Sequence, residues 1–483
     1  MKTLYKILLL SGCIVSLSGC SDYLNPDVKE YATGNQIDEL GKSNPDAIVT
    51  ITEALIQGVY AFTGDYQSSH DAFGLMSLNL AGDLSTEDMV QAKNHFFYYD
   101  YEVDNRNATY RRPGKSWSYC YTLISKANEV ISKIDPNTTN KALKSTLGQA
   151  LAMRAQGLHL AIQRFQKTYI GNENAPGVPV YLTEKDGEAS VFGRGTVSAV
   201  YARIFKDYIK AIELLDGYTR SAKTMVDKQV ACGLLARAYM ATQDWANAEK
   251  YAKMARAGYQ IMSATQAGVD GYNDITNTEW MWGFDTNSEN TNMFASFQSH
   301  TSTFDPGYAG AVGAYKVIDR RLCDKMSAKD VRRNLYIYDG GKKKKLPYGT
   351  NNKFKATQAW LSDNPYMRAS EMVLIEAEAL AHQGKGGAAA SVLSELMSKR
   401  DETWSKSSVT VEDVFLQKRL ELWGEGVIFY DYLRLKKGIN RNYPGTNHTL
   451  AVDLPADSWK FIYQIPQSEI DNNSEMSDAD QNG

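Results

Sequence analysis

Cysteine is scarce in this chain: there are five in 483 residues, and Cys13 and Cys20 fall within the first twenty positions. The other three, Cys120, Cys232 and Cys323, are too widely spaced for a disulfide framework or a metal-ligand cluster. Cys120 and Cys232 sit in helical patterns, where a lone thiol packs as a small apolar residue. The six histidines are scattered singly, and neither H-E-x-x-H nor EF-hand spacing occurs, so the sequence calls for no metal and no cofactor. Basic charge is not in excess. With a net charge of -3 and a pI near 6.1, the chain lacks the electrostatic footprint of a nucleic-acid binder. The four lysines at 342–345 follow two glycines and read as a solvated turn. Nucleotide motifs fail on inspection. "PGKSW" (113–117) has Thr109 where the first glycine of a P-loop belongs, and "GRGTVS" (193–198) lacks the third glycine of a dinucleotide fingerprint. No G-x-S-x-G nucleophile elbow appears.

Long apolar runs are also missing. The run from Ile7 to Leu17 is too short to span a bilayer but suits the apolar core of a signal peptide, with Lys2 and Lys6 before it and Ser18 and Gly19 after it. "LSGC" (17–20) looks like a bacterial lipobox. The expected product is a chain cleaved after residue 19, acylated on Cys20 and held at a membrane by its lipid chains. Residues 21–45 are polar, without a periodic apolar face, and read as a tether.

What the chain has in abundance is helix-forming alanine and aromatic residues. In "QVACGLLARAYMATQDWANAEKYAKMARAGYQI" (229–261), Ala231, Leu235 and Tyr239 share one helix face, and Ala248, Ala252 and Ala255 share another after a short break. Small residues on facing stripes let two antiparallel helices approach closely, as in a tetratricopeptide unit. "RASEMVLIEAEALAHQGKGGAAASVLSELMSKR" (368–400) repeats the pattern with "HQGKG" as the turn. Residues 143–165 and 196–215 form a third pair, with Thr196 as N-cap. A first helix is expected over 46–62. The fold class is therefore mainly α, a superhelix of tetratricopeptide-like helical pairs with a few short strands. It is interrupted by loops at 83–113, 166–194, 262–360 and 439–460, and loops of that length are usually functional.

The carboxylates offer one route to catalysis. Glu371, Glu376 and Glu378 share a helix, and Glu421 and Glu425 sit one turn apart on another. A glycoside hydrolase needs two carboxyls across a cleft. On alanine-rich helices, ion pairs with Arg368, Arg419 or Arg434 are the favoured reading.

Three stretches of the C-terminal third, "RASEMVLIEAEAL" (368–380), "QKRLELWGEGVIFYDYLR" (417–434) and "IPQSEIDNN" (465–473), resemble landmarks of the SusD/RagB family in that family's order. "ALIQGVYAFTG" (54–64), "WSYCYTLISKANEVI" (117–131) and "GQALAMRAQGLHL" (148–160) agree with it. Val427 and Ile428 depart from the His-Arg common after the family's Glu-Gly pair, and this puts a local hydrogen-bond network in doubt. The resemblance implies a single SusD-like body over 46–483. It also implies an outward-facing outer-membrane lipoprotein that is not an enzyme, binds glycans and passes them to a SusC-like TonB-dependent transporter. The alternatives are a secreted glycoside hydrolase and a tetratricopeptide-type envelope scaffold.

Sugar binding needs aromatic faces for stacking and planar polar groups for hydroxyls. Two loops supply both, "DMVQAKNHFFYYDYEVDNRNATYRR" (88–112) and "EWMWGFDTNSENTNMFASFQSHTSTFDPGY" (279–308). Within them "HFFYYDY" and "EWMWGF" read as short strands, with Phe96, Phe97, Trp280 and Phe284 packed inward. The exposed candidates for glycan contact are Asn94, His95, Arg106, Trp282, Asn292, Phe297, His300 and Tyr308.

Overall fold

A computed structural model describes residues 45–64, 66–291, 293–303, 307–340, 346–356 and 360–483. Cys20, residues 21–44 of the expected 21–45 tether, Asn292 and Lys342 to Lys345 lie outside the described residues, and Pro45 instead opens a helix. The chain divides into two compact units, Met1–Ile51 and Thr52–Gly483. Of the first, the structure describes the opening turns of helix α1, which runs Pro45–Thr63, close to the expected 46–62. No helix among the described residues is long and apolar enough to cross a membrane.

The second unit is built on paired helices, as the alanine stripes require. These are α2 (Arg111–Lys133), α3 (Lys141–Phe165), α4 (Val197–Leu214), α5 (Lys228–Thr242), α6 (Trp245–Ala255), α7 (Ala369–His382), α8 (Gly386–Met397) and α9 (Val411–Glu421). Each packs on its predecessor from α2 to α8, and α9 packs on α7. Contact between α6 and α7 spans more than a hundred intervening residues. Ala231, Leu235, Ala248, Ala252 and Ala255 are wholly buried between α5 and its neighbours. Each leucine or valine buried in this way contributes about 1.5–3 kcal/mol.

Helix ends are set by short polar side chains. Asn140 accepts from the backbone of Ala142 and Leu143, Thr196 from Ala199, Asp227 from Val230 and Asp244 from Asn247. Such caps satisfy amides that no helical carbonyl can reach, at about 1 kcal/mol each. Cys120, Cys232 and Cys323 are free and buried.

The segment 262–360 is not the continuous loop its composition implied. It carries β4 (Trp280–Phe284), β5 (Lys316–Ile318), β6 (Tyr336–Ile337) and β7 (Thr350–Asn351); earlier in the chain come β1 (Tyr66–Ser69), β2 (Ala72–Phe73) and β3 (Met89–Gln91). Strands β3, β5, β7 and β6 form one antiparallel sheet in that order, with Gln91 opposite Lys316. Strand β4 pairs with β8 (Asn364–Arg368), which leads directly into α7. The 88–112 loop therefore meets the central insertion through a sheet.

Candidate functional site

Sheet β3–β5 decides where the polar aromatic residues of the two loops meet. Beyond Gln91 the chain turns back on itself, because the Gln91 Nε2 amide donates to the carbonyls of Lys93, His95 and Phe96 at 3.1–3.3 Å. Pairing continues one residue further, with the Ala92 amide on the Tyr315 carbonyl at 3.0 Å. Phe97 then takes a left-handed conformation (φ 70°) and opens a short helix, Tyr98–Glu102. This corrects the strand reading of "HFFYYDY": the left-handed turn at Phe97 stops extension where alternation suggested it.

On the facing side, Ser296 caps the short helix Phe297–Thr301, and the Tyr308 amide donates to Ser299 Oγ at 2.9 Å. That bond fixes Tyr308 beside His300. The β1–β2 hairpin carries His70 at its turn and Phe73 in its second strand.

These elements converge on one cluster. His70 stacks on Phe96 (centroids 5.1 Å, 19° between planes) and lies 4.7 Å from the Tyr308 ring. His95 meets Tyr308 edge-on at 4.8 Å, and its Nε2 is 3.0 Å from the tyrosine hydroxyl. His300 lies beneath, 4.9 Å from Tyr308, 5.5 Å from Phe73 and 5.3 Å from Phe97. His70, His95, Phe96 and Tyr308 are half-buried, while Lys93 and Asn94 are exposed. The cluster therefore has a rim in solvent and a floor in the core. Among the described residues no group of His, Cys, Asp or Glu is arranged to hold a metal ion.

Burial shapes its titration. Burial of His95, with Lys93 and His70 nearby, holds its pKa below the usual imidazole range, and fuller burial beside Lys316, His70 and His95 holds His300 well below it. Both shifts favour the neutral ring. Neutral imidazoles, the Tyr308 hydroxyl and the Asn94 amide can each exchange hydrogen bonds with sugar hydroxyls, and Phe96 and Tyr308 offer ring surface for stacking.

The structure thus brings His95, His300 and Tyr308 together, with Asn94 at the rim. His300, however, is 1% exposed and forms the floor. Four of the expected exposures are corrected, since Arg106, Trp282, Phe297 and His300 are all buried. Trp282 lies in β4, whose faces are both covered; its indole N–H donates to the Thr224 carbonyl at 3.0 Å and its ring abuts Tyr366. Arg106 is committed to the Lys460 carbonyl, Asn105 and Ser85 at 2.6–2.8 Å and lies over Tyr463. Phe297 packs edge-on against Phe354 at 4.9 Å. Phe97, Trp280 and Phe284 are inward, as alternation predicts, but Phe96 reaches the rim. Sequence reasoning missed His70, Gln91 and Lys316 altogether. The "SSHDAFG" turn was the one local signal for His70.

The acidic residues are spent elsewhere. Glu371 pairs with Arg237, Glu376 with Arg256, and Glu378 with Arg434 and Lys418. Glu421 and Glu425 are buried among Arg368, Arg400 and Lys353. Desolvation would raise both, but the adjacent cations outweigh it and hold both below the usual carboxylate range. A general acid needs the opposite shift. A separate cavity of about 80 Å³ lies among the scaffold helices, lined by Gln156, His159, Tyr201, Arg237 and Val427. It contains none of the expected site residues. Four residues beyond Ile428 on the same helix, the Tyr432 hydroxyl donates to Asp88 at 3.0 Å.

Known proteins share this fold. A family model described as "Starch-binding associating with outer membrane" matches residues 40–240, and the model of the SusD family matches residues 240–482. Among solved structures, a SusD-like carbohydrate binding protein from Bacteroides vulgatus is 23% identical, with a TM-score of 0.77 over 90% of this chain and 98% of that one. A SusD superfamily protein from Bacteroides thetaiotaomicron is 21% identical, with a TM-score of 0.74 over 90% and 99%. Surface glycan-binding protein A from Bacteroides thetaiotaomicron, solved with laminarihexaose, is 16% identical, with a TM-score of 0.65 over 90% and 99%. No curated protein sequence matches the chain.

Proposed function

The chain belongs to the SusD family, and on that premise we propose that it is a cell-surface lipoprotein that binds glycans and delivers them to a SusC-like TonB-dependent outer-membrane transporter. It carries no reaction of its own on this reading. The lipobox cysteine Cys20 is the anchor, and the outer face of the outer membrane is the location. A similarly folded protein is named for glycan binding and was solved with a glucan hexasaccharide, which supports the ligand class.

The observation that carries the proposal is the half-buried cluster of His70, His95, Phe96 and Tyr308, where stacking surface and hydroxyl partners share one rim. Handover to a transporter also favours modest affinity, since very slow release would stall import. The envelope-scaffold alternative shares the helical stack but gives this rim no role.

The test is a panel of polysaccharides in affinity gels, run with the full chain in detergent beside a Phe96→Ala, Tyr308→Ala double variant. Wild type is expected to be retarded by one glycan class. Losing two stacking rings, at about 0.5–1.5 kcal/mol each, should weaken that binding by about 5- to 150-fold. Retardation that survives unchanged in the variant moves the site elsewhere. Silence across the panel, with a transporter still co-purifying, favours the scaffold.

A further inference from the structure

One side of the cluster has a charge pattern that a site for neutral sugar does not need. Lys316, opposite Gln91 in the β3–β5 ladder, is 1% exposed. Its ammonium has one hydrogen bond among the described residues, to the Ala314 carbonyl at 3.1 Å, and no ion pair with a carboxylate. An ammonium can donate three hydrogen bonds, so two donor positions are unused.

The ionisable groups acting on its histidine neighbours are all basic. His95 is influenced by Lys93, His70 and Lys316, and His300 by Lys316, His70 and His95, with no acid in either set. Among the described residues the acids nearest in sequence are already engaged: Asp71 by Arg111 and Arg112, Asp100 by Arg112, Asp88 by Arg419, and Asp319 by the Tyr443 hydroxyl and Arg321; Asp305 lies outside the described residues. In the same cluster His70 Nδ1, Gln91 Oε1 and His300 Nε2 are buried and have no hydrogen-bond partner among the described residues. Burying a cation without a counter-charge is costly, and so is burying polar atoms without partners. A chain with a net charge of -3 has no general surplus of lysine to hide. The missing component is an anion with hydroxyls beside it.

We infer that the His70–His95–Tyr308 rim above Lys316 selects glycans bearing an anionic group, a uronate carboxylate or a sulfate ester. The anion sits against Lys316, and adjacent hydroxyls meet His300 Nε2, His70 Nδ1 and Gln91 Oε1. This deepens the glycan-binding reading and rests on it.

A pH signature follows. Burial brings Lys316 down to about 7. If the anion binds the protonated form, the competent fraction falls about tenfold between pH 6 and pH 8. Uronates and sulfates stay ionised throughout that range, so the ligand adds no slope of its own.

The experiment uses the full chain in detergent and affinity gels at pH 6 and pH 8. Polygalacturonate and hyaluronan carry carboxylates, dextran sulfate carries sulfate, and galactan, laminarin and dextran are neutral. Expected is retention by at least one anionic polymer about tenfold stronger at pH 6 than at pH 8, with the two anion types told apart by which gels retain the protein. Lys316→Met should lose both the retention and the slope. The wild-type pH comparison stands by itself should that variant not fold. Retention by neutral polymers alone overturns the inference and leaves the glycan reading intact. Anionic retention that ignores pH and survives in Lys316→Met overturns it as well. No retention by any polymer overturns both.

Discussion

Replacing Arg368 with methionine is expected to destabilise the protein by about 3–5 kcal/mol, the cost of breaking a buried ion pair from one side. Arg368 is fully buried and bonds three glutamates. Its Nε and Nη2 hold Glu425 at 2.9 and 2.6 Å, and its Nη1 reaches Glu421 at 3.2 Å and, closer still, Glu279. Arg400 holds Glu421 bidentately at 2.8 and 2.9 Å and also reaches Glu279. Arg332 pairs with Asp330, and Lys353 bonds Glu425 at 2.6 Å as well as the carbonyls of Glu421 and Trp423. Four cations thus face four carboxylates out of reach of water. Removing Arg368 leaves one uncompensated negative charge and several empty acceptors. Urea unfolding should show the midpoint falling with little change in slope; a loss below about 1 kcal/mol would mean the remaining cations rearrange to cover the gap.

The same network sets the acid limit of the fold. Glu421 and Glu425 have folded-state pKa values below their unfolded ones, because the arginines and Lys353 outweigh the desolvation that would raise them. Their stabilisation is therefore complete above the ordinary glutamate value of about 4.3 and is lost as pH falls through the folded values. Unfolding with acid should begin below that point in wild type. In Arg368→Met the onset should move upward, since the glutamates have lost part of what held them ionised.

The network also explains what the sequence made easy to read. The acidic and basic residues of "RASEMVLIEAEAL" and "QKRLELWGEG" recur on helices where an ion pair is the default, and the structure finds them paired. Alanine stripes announced α5 to α8 because a 3.6-residue period persists over three or four turns. Strands β5, β6 and β7 have two or three residues each, too few for any period, so 262–360 read as loop. Strand β4 was legible as a strand, but alternation presumes one wet face and β4 has none. The rim was illegible for another reason. His70, His95, His300, Tyr308 and Lys316 come from four separate segments, and their meeting depends on the β3–β5 pairing and the β1–β2 hairpin. Nothing local in "NHFF" or "SHT" records that.

This difference between buried and rim aromatics makes Trp282 the sharpest contrast with Tyr308. Trp282→Ala is expected to cost about 3–5 kcal/mol, the range for truncating a large buried aromatic. Its ring lies edge-on to Tyr366 at 5.0 Å, and its indole N–H is the partner of the Thr224 carbonyl. The substitution therefore opens a cavity and also orphans a backbone acceptor. Gly283, the next residue, would place a Cβ 2.7 Å from the Asn364 carbonyl, so β4 lies too close to β8 to slide and fill the space. Tyr308→Ala removes a half-buried ring whose hydroxyl, among the described residues, bonds His95 alone, and should cost little stability. The expected pattern is a double dissociation. Trp282→Ala should lower the unfolding midpoint while the folded fraction keeps wild-type glycan affinity; Tyr308→Ala should do the reverse. Calorimetric unfolding and affinity gels on the same preparations separate the two. A Trp282→Ala protein that keeps its midpoint and loses glycan would place the ligand against β4, and the rim would then be only a neighbour of the true site.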